Sequence, residues 1–227
     1  MTLASRRTTA GLLGLALAAV AIALVVAPIG APQAAGSKAL NGTFRLTAGS
    51  YSAGKGHGTY FRMIYPGGKR YFPNPDSKAR DKTFILGVPG TDGGLATGRF
   101  QPGPSPSFDA KGNARANKII KPGVFTAIRF SVATLKKDPQ SKKVVAVTSA
   151  RVSGSRLTVN VPGYTAEWNG QYFNQGAPKP DGSGSPATGT YNAKTRRFVL
   201  TWTSKVSGGA FSGFTGYWHL EGTFSPR

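Results

Sequence analysis

Residues Thr188–Phe224 read TGTYNAKTRRFVLTWTSKVSGGAFSGFTGYWHLEGTF. In the first half Phe198, Leu200, Trp202 and Val206 fall on one face, with Thr201, Thr203 and Lys205 on the other. In the second half Phe214, Trp218, Leu220 and Phe224 oppose Thr215, Tyr217, His219, Glu221 and Thr223. Period-two alternation over this length predicts half-buried β-strands, because successive side chains leave a pleated backbone on opposite sides. The segment Ser207–Gly213 between them holds three glycines and suits a hairpin loop. The last strand of this hairpin is expected to pair with an early strand at 41–48, where Phe44 and Leu46 alternate with Thr43, Arg45 and Thr47.

The same pattern extends over most of the chain. Strands are predicted at 59–65, 83–88, 95–100, 124–134, 144–152, 157–161 and 164–169, and punctuation such as Pro66-Gly67-Gly68 and Pro162-Gly163 separates several of them. Within 124–134, Val124, Thr126, Ile128, Phe130 and Val132 alternate with Phe125, Ala127, Arg129, Ser131 and Ala133. Residues 69–82, 101–117 and 170–187 carry Pro, Gly and charge and read as loops. Gly-x-aromatic recurs at Gly42/Phe44, Gly58/Tyr60, Gly98/Phe100, Gly189/Tyr191 and Gly222/Phe224, a spacing that suits sharply bent strands. The expected fold is all-β: a single antiparallel β-barrel or β-sandwich of about nine to eleven short strands.

Ahead of that domain, residues 1–35 have the order of a secretory signal. Arg6 and Arg7 precede an uncharged apolar run at 10–27, Pro28 breaks it, and small residues follow. The expectation is a signal peptide or hydrophobic helix over 1–35 and one secreted domain over 36–227. The alternative is an uncleaved membrane anchor formed by 10–27. The chain has no cysteine, so thiol catalysis, thiolate metal sites and disulfides are excluded and the core must hold the fold alone.

Charge is the most unusual bulk property. The chain has 29 Lys and Arg against 8 Asp and Glu, a formal net charge of +21. Arg6 and Arg7 are the only basic residues before position 36, so the excess belongs to the domain. A field of this sign attracts polyanions and weakens with salt. The basic residues are scattered, with the densest pieces at Lys136-Lys137, Lys142-Lys143 and Arg196-Arg197. The expected partner is an anionic cell-wall polymer or an anionic membrane surface, with no specific nucleic acid, and the protein is expected to be a monomer.

No catalytic signature emerges. There is no His-x-x-x-His pair and no Gly-x-Ser-x-Gly elbow, and His57 lies in a glycine-rich turn. No metal, cofactor or catalytic residue is assigned, and the protein is read as no enzyme. The candidate ligand-binding residues are Trp168, Asn169, Tyr172 and Phe173, aromatic and amide side chains beside a loop, and Tyr217, His219 and Glu221 on one strand face. An alternative joins Glu167, His219 and Glu221 as acid–base groups of a hydrolase. Another makes the barrel interior a pocket for a small ligand such as haem.

The stretches 168–176 (WNGQYFNQG), 188–191 (TGTY) and 211–224 (FSGFTGYWHLEGTF) resemble a group of secreted proteins of high-GC Gram-positive bacteria with no known activity. The resemblance spans Leu40 to Phe224 and implies export and a single domain, not a mechanism. The segments 189–195 and 211–216 are also similar to haem-uptake surface domains, over one hairpin and without a transferable haem ligand. The combined expectation is a secreted, basic, envelope-associated binding or structural module.

Overall fold

The computed structural model describes residues 36–227. The expected signal or anchor at 1–35 lies outside the described residues. Among the described residues, no helix is long and apolar enough to cross a membrane. Regular structure consists of strands β1 (Lys38–Ala39), β2 (Gly42–Leu46), β3 (Ser50–Ser52), β4 (Lys55–His57), β5 (Tyr60–Ile64), β6 (Ile85–Leu86), β7 (Gly94–Ala96), β8 (Gly123–Phe125), β9 (Ile128–Thr134), β10 (Ser149–Ser153), β11 (Arg156–Asn160), β12 (Tyr164–Trp168), β13 (Gln171–Asn174), β14 (Ala187–Tyr191), β15 (Arg197–Lys205) and β16 (Thr215–Pro226), with one 3₁₀ turn at Gly209–Phe211. The all-β expectation holds. The count exceeds nine to eleven because short pairings such as β1 and the β3–β4 hairpin carry no alternation signal of their own.

Ten strands form one curled antiparallel sheet, a half-barrel with the order β1-β10-β11-β14-β15-β16-β2-β7 and with β5 and β6 branching from β16. The opening hairpin is its centre. β15 and β16 pair in continuous register from Arg197↔Thr223 to Lys205↔Thr215. On its other edge β16 is shared: Thr215–His219 pairs with β5, and Gly222–Pro226 pairs with β2. The predicted closure of the last strand on the first long strand is therefore present, with Phe224 opposite Phe44.

Two of the Gly-x-aromatic glycines show why the sheet can bend there. A Cβ on Gly189 would lie 1.8 Å from the Val199 carbonyl oxygen, and one on Gly222 would lie 1.9 Å from that of Arg45. Only glycine permits these backbone approaches.

A second sheet of four strands, β13-β12-β9-β8, lies across the inner face of the first. Trp202 and Trp218 of the large sheet meet Tyr164 of the small one edge-on, with ring centroids 5.2 and 4.9 Å apart. Phe61 and Trp218 stack on Phe130 at 5.4 and 6.0 Å. One polar side chain sits among these rings. Gln175 is buried; its Oε1 accepts from Trp218 Nε1 at 3.2 Å and its backbone oxygen accepts from Trp202 Nε1 at 2.8 Å. Both indole donors are thereby satisfied within the core. Among the described residues, two apolar cavities between the sheets measure about 20 and 10 Å³, whereas a ligand pocket takes several hundred. Neither of these two cavities is large enough for haem.

Two expectations are corrected by hairpin turns. Residues 124–134 are not one strand: the chain reverses at Thr126-Ala127, whose φ values are 48° and 65°. Phe125 is buried along with Phe130 and Val132 while Val124 is 43% exposed, so the alternation does not run through the turn in one phase. Two consecutive positive φ angles define a type I′ turn, which normally takes Asn-Gly. Here the strain is held from outside. Buried Asn74 donates through Nδ2 to the Val124 oxygen at 2.9 Å and accepts Thr126 N at 3.0 Å, while Asp76 Oδ2 accepts Ala127 N at 2.7 Å. Asn74→Ala removes two of these bonds and is expected to cost about 2 kcal/mol in denaturant unfolding. Ala127→Gly relieves the strain and is expected to raise the midpoint slightly. The second turn is Asn169-Gly170, with φ of 50° and 68°, after which β13 returns along β12. The predicted loop 170–187 therefore begins with a strand.

Candidate functional site

The seven candidate residues divide between two places. Trp168, Asn169, Tyr172 and Phe173 belong to the β12–β13 hairpin of the small sheet. Trp168 Nε1 donates to the Phe125 oxygen at 2.7 Å, and its ring rests 5.1 Å from that of Phe211. Phe173 is buried and Trp168 is half-buried against the core, so both side chains anchor the hairpin. Asn169 is the first turn residue, and Tyr172 is half-buried with its ring edge-on to Phe108 at 5.1 Å.

Tyr217, His219 and Glu221 occupy the outer face of the large sheet, where the alternation placed them. The His219 ring stacks on Tyr60 of β5 at 4.5 Å with 6° between planes. Its Nε2 is buried without a hydrogen bond, 3.7 Å from Glu221 Oε2. Burial pushes the imidazole below its ordinary pKa, against the pull of Glu221. Tyr60 is pushed up to about 12 by burial and by the neighbouring Tyr217 hydroxyl. Glu221 Oε2 accepts Gly58 N at 3.0 Å, and its Oε1 lies 3.6 Å from Arg197 Nη2.

Glu167 is elsewhere. It projects from β12 on the face opposite Tyr164 and Ala166, beneath the loop that carries Gly103, and is fully buried with neither carboxyl oxygen hydrogen-bonded. Burial alone raises its pKa to about 7. The small sheet and the packed core stand between it and His219, so the proposed Glu167–His219–Glu221 trio does not assemble. Among the described residues no group of three His, Asp or Glu side chains is placed to hold a metal ion.

The other acidic residues explain the surface. Asp76 caps the Thr126-Ala127 turn, and Asp92 Oδ2 accepts from Arg99 and Gln101 at 2.9 Å each. Asp109 and Asp181 each cap a local loop and sit below the usual carboxylate range, through the Asn113 side chain and the Ser183 hydroxyl respectively. Asp81 and Asp138 are partly desolvated, which works the other way. Bonds from Thr83 to Asp81, and from Ser141 and Asn174 to Asp138, nevertheless hold both low. With Glu221 tied to Gly58 and Glu167 buried, all 8 carboxyl groups are engaged within the fold. Among the described residues, only Arg62, Arg99 and Arg197 of the Lys and Arg side chains lie within 4.0 Å of a carboxylate.

The outer face of the large sheet carries a polar array. One cross-strand row runs Arg151, Thr158, Thr188, Thr201, His219, Tyr60, and the next runs Arg156, Thr190, Val199, Glu221. At the end of this face, an open groove of about 660 Å³ lies between the β10–β11 and β14–β15 turns. Ser155, Thr190, Lys194, Arg197 and Glu221 line it. Among these, sequence reasoning singled out Glu221 as a candidate and marked Arg197 only through the Arg196-Arg197 pair. The register that brings Ser155 to Thr190 is a tertiary fact.

No family model, no curated protein and no solved structure matches the chain, so what it does has to be read from its own charges and surfaces.

Proposed function

We propose that the protein is an exported, non-enzymatic binding module that adheres through its positive surface to anionic polymers of the cell envelope. One observation carries this reading: seven of the 8 acidic side chains are held in caps and turns and the eighth is buried, and among the described residues only three of the 27 Lys and Arg side chains lie within 4.0 Å of a carboxylate. Where opposite charges are interspersed, the outward field is small; here it is not, and a linear polyanion releases its condensed counterions on binding.

The test is retention of the full chain on immobilised polyglycerol phosphate as salt rises. Two ionic contacts already predict a loss of roughly tenfold in affinity between 50 and 200 mM salt. Retention that does not respond to salt, or no retention at 50 mM, would remove the reading.

A further inference from the structure

The outer-face groove gives the adhesion a specific contact, an inference that rests on the polyanion reading above. We infer that the groove between the β10–β11 and β14–β15 turns binds an acidic glycan. Lys194 and Arg197 hold its phosphate or carboxylate, and Ser155, Thr190 and Glu221 meet its sugar hydroxyls.

Four observations converge on this occupant. The groove measures about 660 Å³, which falls within the range of ligand sites. Its cations are available. The Arg197 side chain is 70% exposed, and the carboxylate beside it, Glu221, is 3.6 Å away, so an incoming anion reaches the guanidinium without breaking a close bidentate pair. Arg156 stands opposite Thr190 on the same face and adds a third positive charge at the rim.

The neutral donors point to sugar rather than to phosphate alone. Ser155 and Thr190 supply hydroxyls, and Glu221 supplies a carboxylate whose Oε1 is not used by Gly58. A carboxylate beside two cations is a poor element for a pure phosphate site, but it accepts hydrogen bonds from vicinal hydroxyls.

The alternatives lack their recognition elements here. Single-stranded nucleic acid needs exposed rings to stack its bases, while the two rings in the groove wall, Tyr191 and Phe198, are buried in the core. A lipid surface needs exposed apolar side chains. The exposed large apolar residues, Tyr71, Val88, Val124 and Val144, all lie outside the groove.

The experiment measures affinity of the full chain for three polymers at one salt concentration: phosphomannan, polygalacturonate and single-stranded DNA. Three variants are compared with the parent. Lys194→Ala/Arg197→Ala removes the groove cations. Lys69→Ala/Lys111→Ala removes the same charge from exposed sites elsewhere, Lys69 following β5 beyond the Thr215 end of β16. Thr190→Val removes one hydroxyl and no charge.

The groove double variant is expected to lose roughly tenfold or more on one acidic glycan, against less than about threefold for the charge-matched control. The glycan that shows this difference identifies the acid group as phosphate or carboxylate. Thr190→Val is expected to weaken glycan binding without changing its salt dependence. Equal losses in both double variants would overturn the groove and leave the diffuse adhesion standing. Tighter binding of DNA than of either glycan, reduced by the groove variant, would overturn the occupant. Absence of binding to all three polymers by the parent would remove the adhesion reading itself.

Discussion

Trp218→Ala is expected to destabilise the protein by about 3–5 kcal/mol, the range for deleting a large aromatic from a packed core. Trp218 is 2% exposed and contacts rings from both sheets: Phe61 at 4.4 Å, Tyr164 at 4.9 Å, Trp202 at 5.9 Å and Phe130 at 6.0 Å. Its removal opens a cavity between the sheets and also deprives Gln175 Oε1 of a donor inside that cavity. An unsatisfied buried amide oxygen adds to the transfer and cavity costs. Since a domain holds about 5–15 kcal/mol in total, a loss of this size leaves the variant marginal at room temperature. Chemical denaturation followed by far-UV circular dichroism measures it. Trp218→Phe keeps most of the ring contacts and separates volume from hydrogen bonding. A loss below about 1 kcal/mol for the alanine variant would mean that the two sheets are not held together here.

The second large effect is a pH dependence located at Glu167. Its carboxyl is buried without a partner, and its pKa is raised from 4.5 to about 7 in the fold. Below pH 4.5 the group is protonated in both the folded and the unfolded chain and contributes no dependence. Between 4.5 and 7 the folded protein keeps the proton and the unfolded chain loses it, so stability falls as pH rises. Above 7 the loss is complete, at about 3 kcal/mol. Glu167→Gln keeps the shape and removes the titration. The variant should match the parent near pH 4.5 and become progressively more stable than it up to pH 8, as read from thermal midpoints at half-unit steps. A parent and variant that run parallel across this window would place the carboxyl in water. His219 acts with the opposite sign. Its pKa is lowered in the fold, so its contribution is present above the ordinary histidine range and lost as pH falls through and below it. The difference between parent and Glu167→Gln cancels that background.

The sequence pattern was most informative where one face of a strand is buried and the other is wet. Phe198, Leu200, Trp202, Trp218 and Leu220 are all core, and their alternates are outside, because a long two-sided strand admits no other phase. Phe125 escaped because the Thr126-Ala127 turn borrows its conformation from Asn74 and Asp76, some fifty positions earlier. A reader of the local sequence sees two ordinary strand residues. Glu167 shows the other limit. Alternation correctly placed it opposite Tyr164 and Trp168, yet outward of the sheet proved to be inside the molecule, because the loop that carries Gly103 covers that face. Of the site, the His219–Glu221 pair was legible as neighbours on a strand. The groove was not, since it is made by two turns that meet only through the β11–β14 ladder.

The division of β16 among β15, β5 and β2 also sets an order of events during synthesis. Phe44 and Phe224 face each other across the sheet some 180 positions apart, and β5 likewise has only the two-residue β6 beside it until β16 arrives. Contacts this distant in the chain make for slow folding, because the loop they close is ordered before they reward it. While the chain emerges, β2 and β5 therefore present unpaired edges and the rings Phe44 and Phe61. A ribosome stalled before Thr215 would hold a long, unsealed polypeptide, and one that has released Pro226 a chain free to shut.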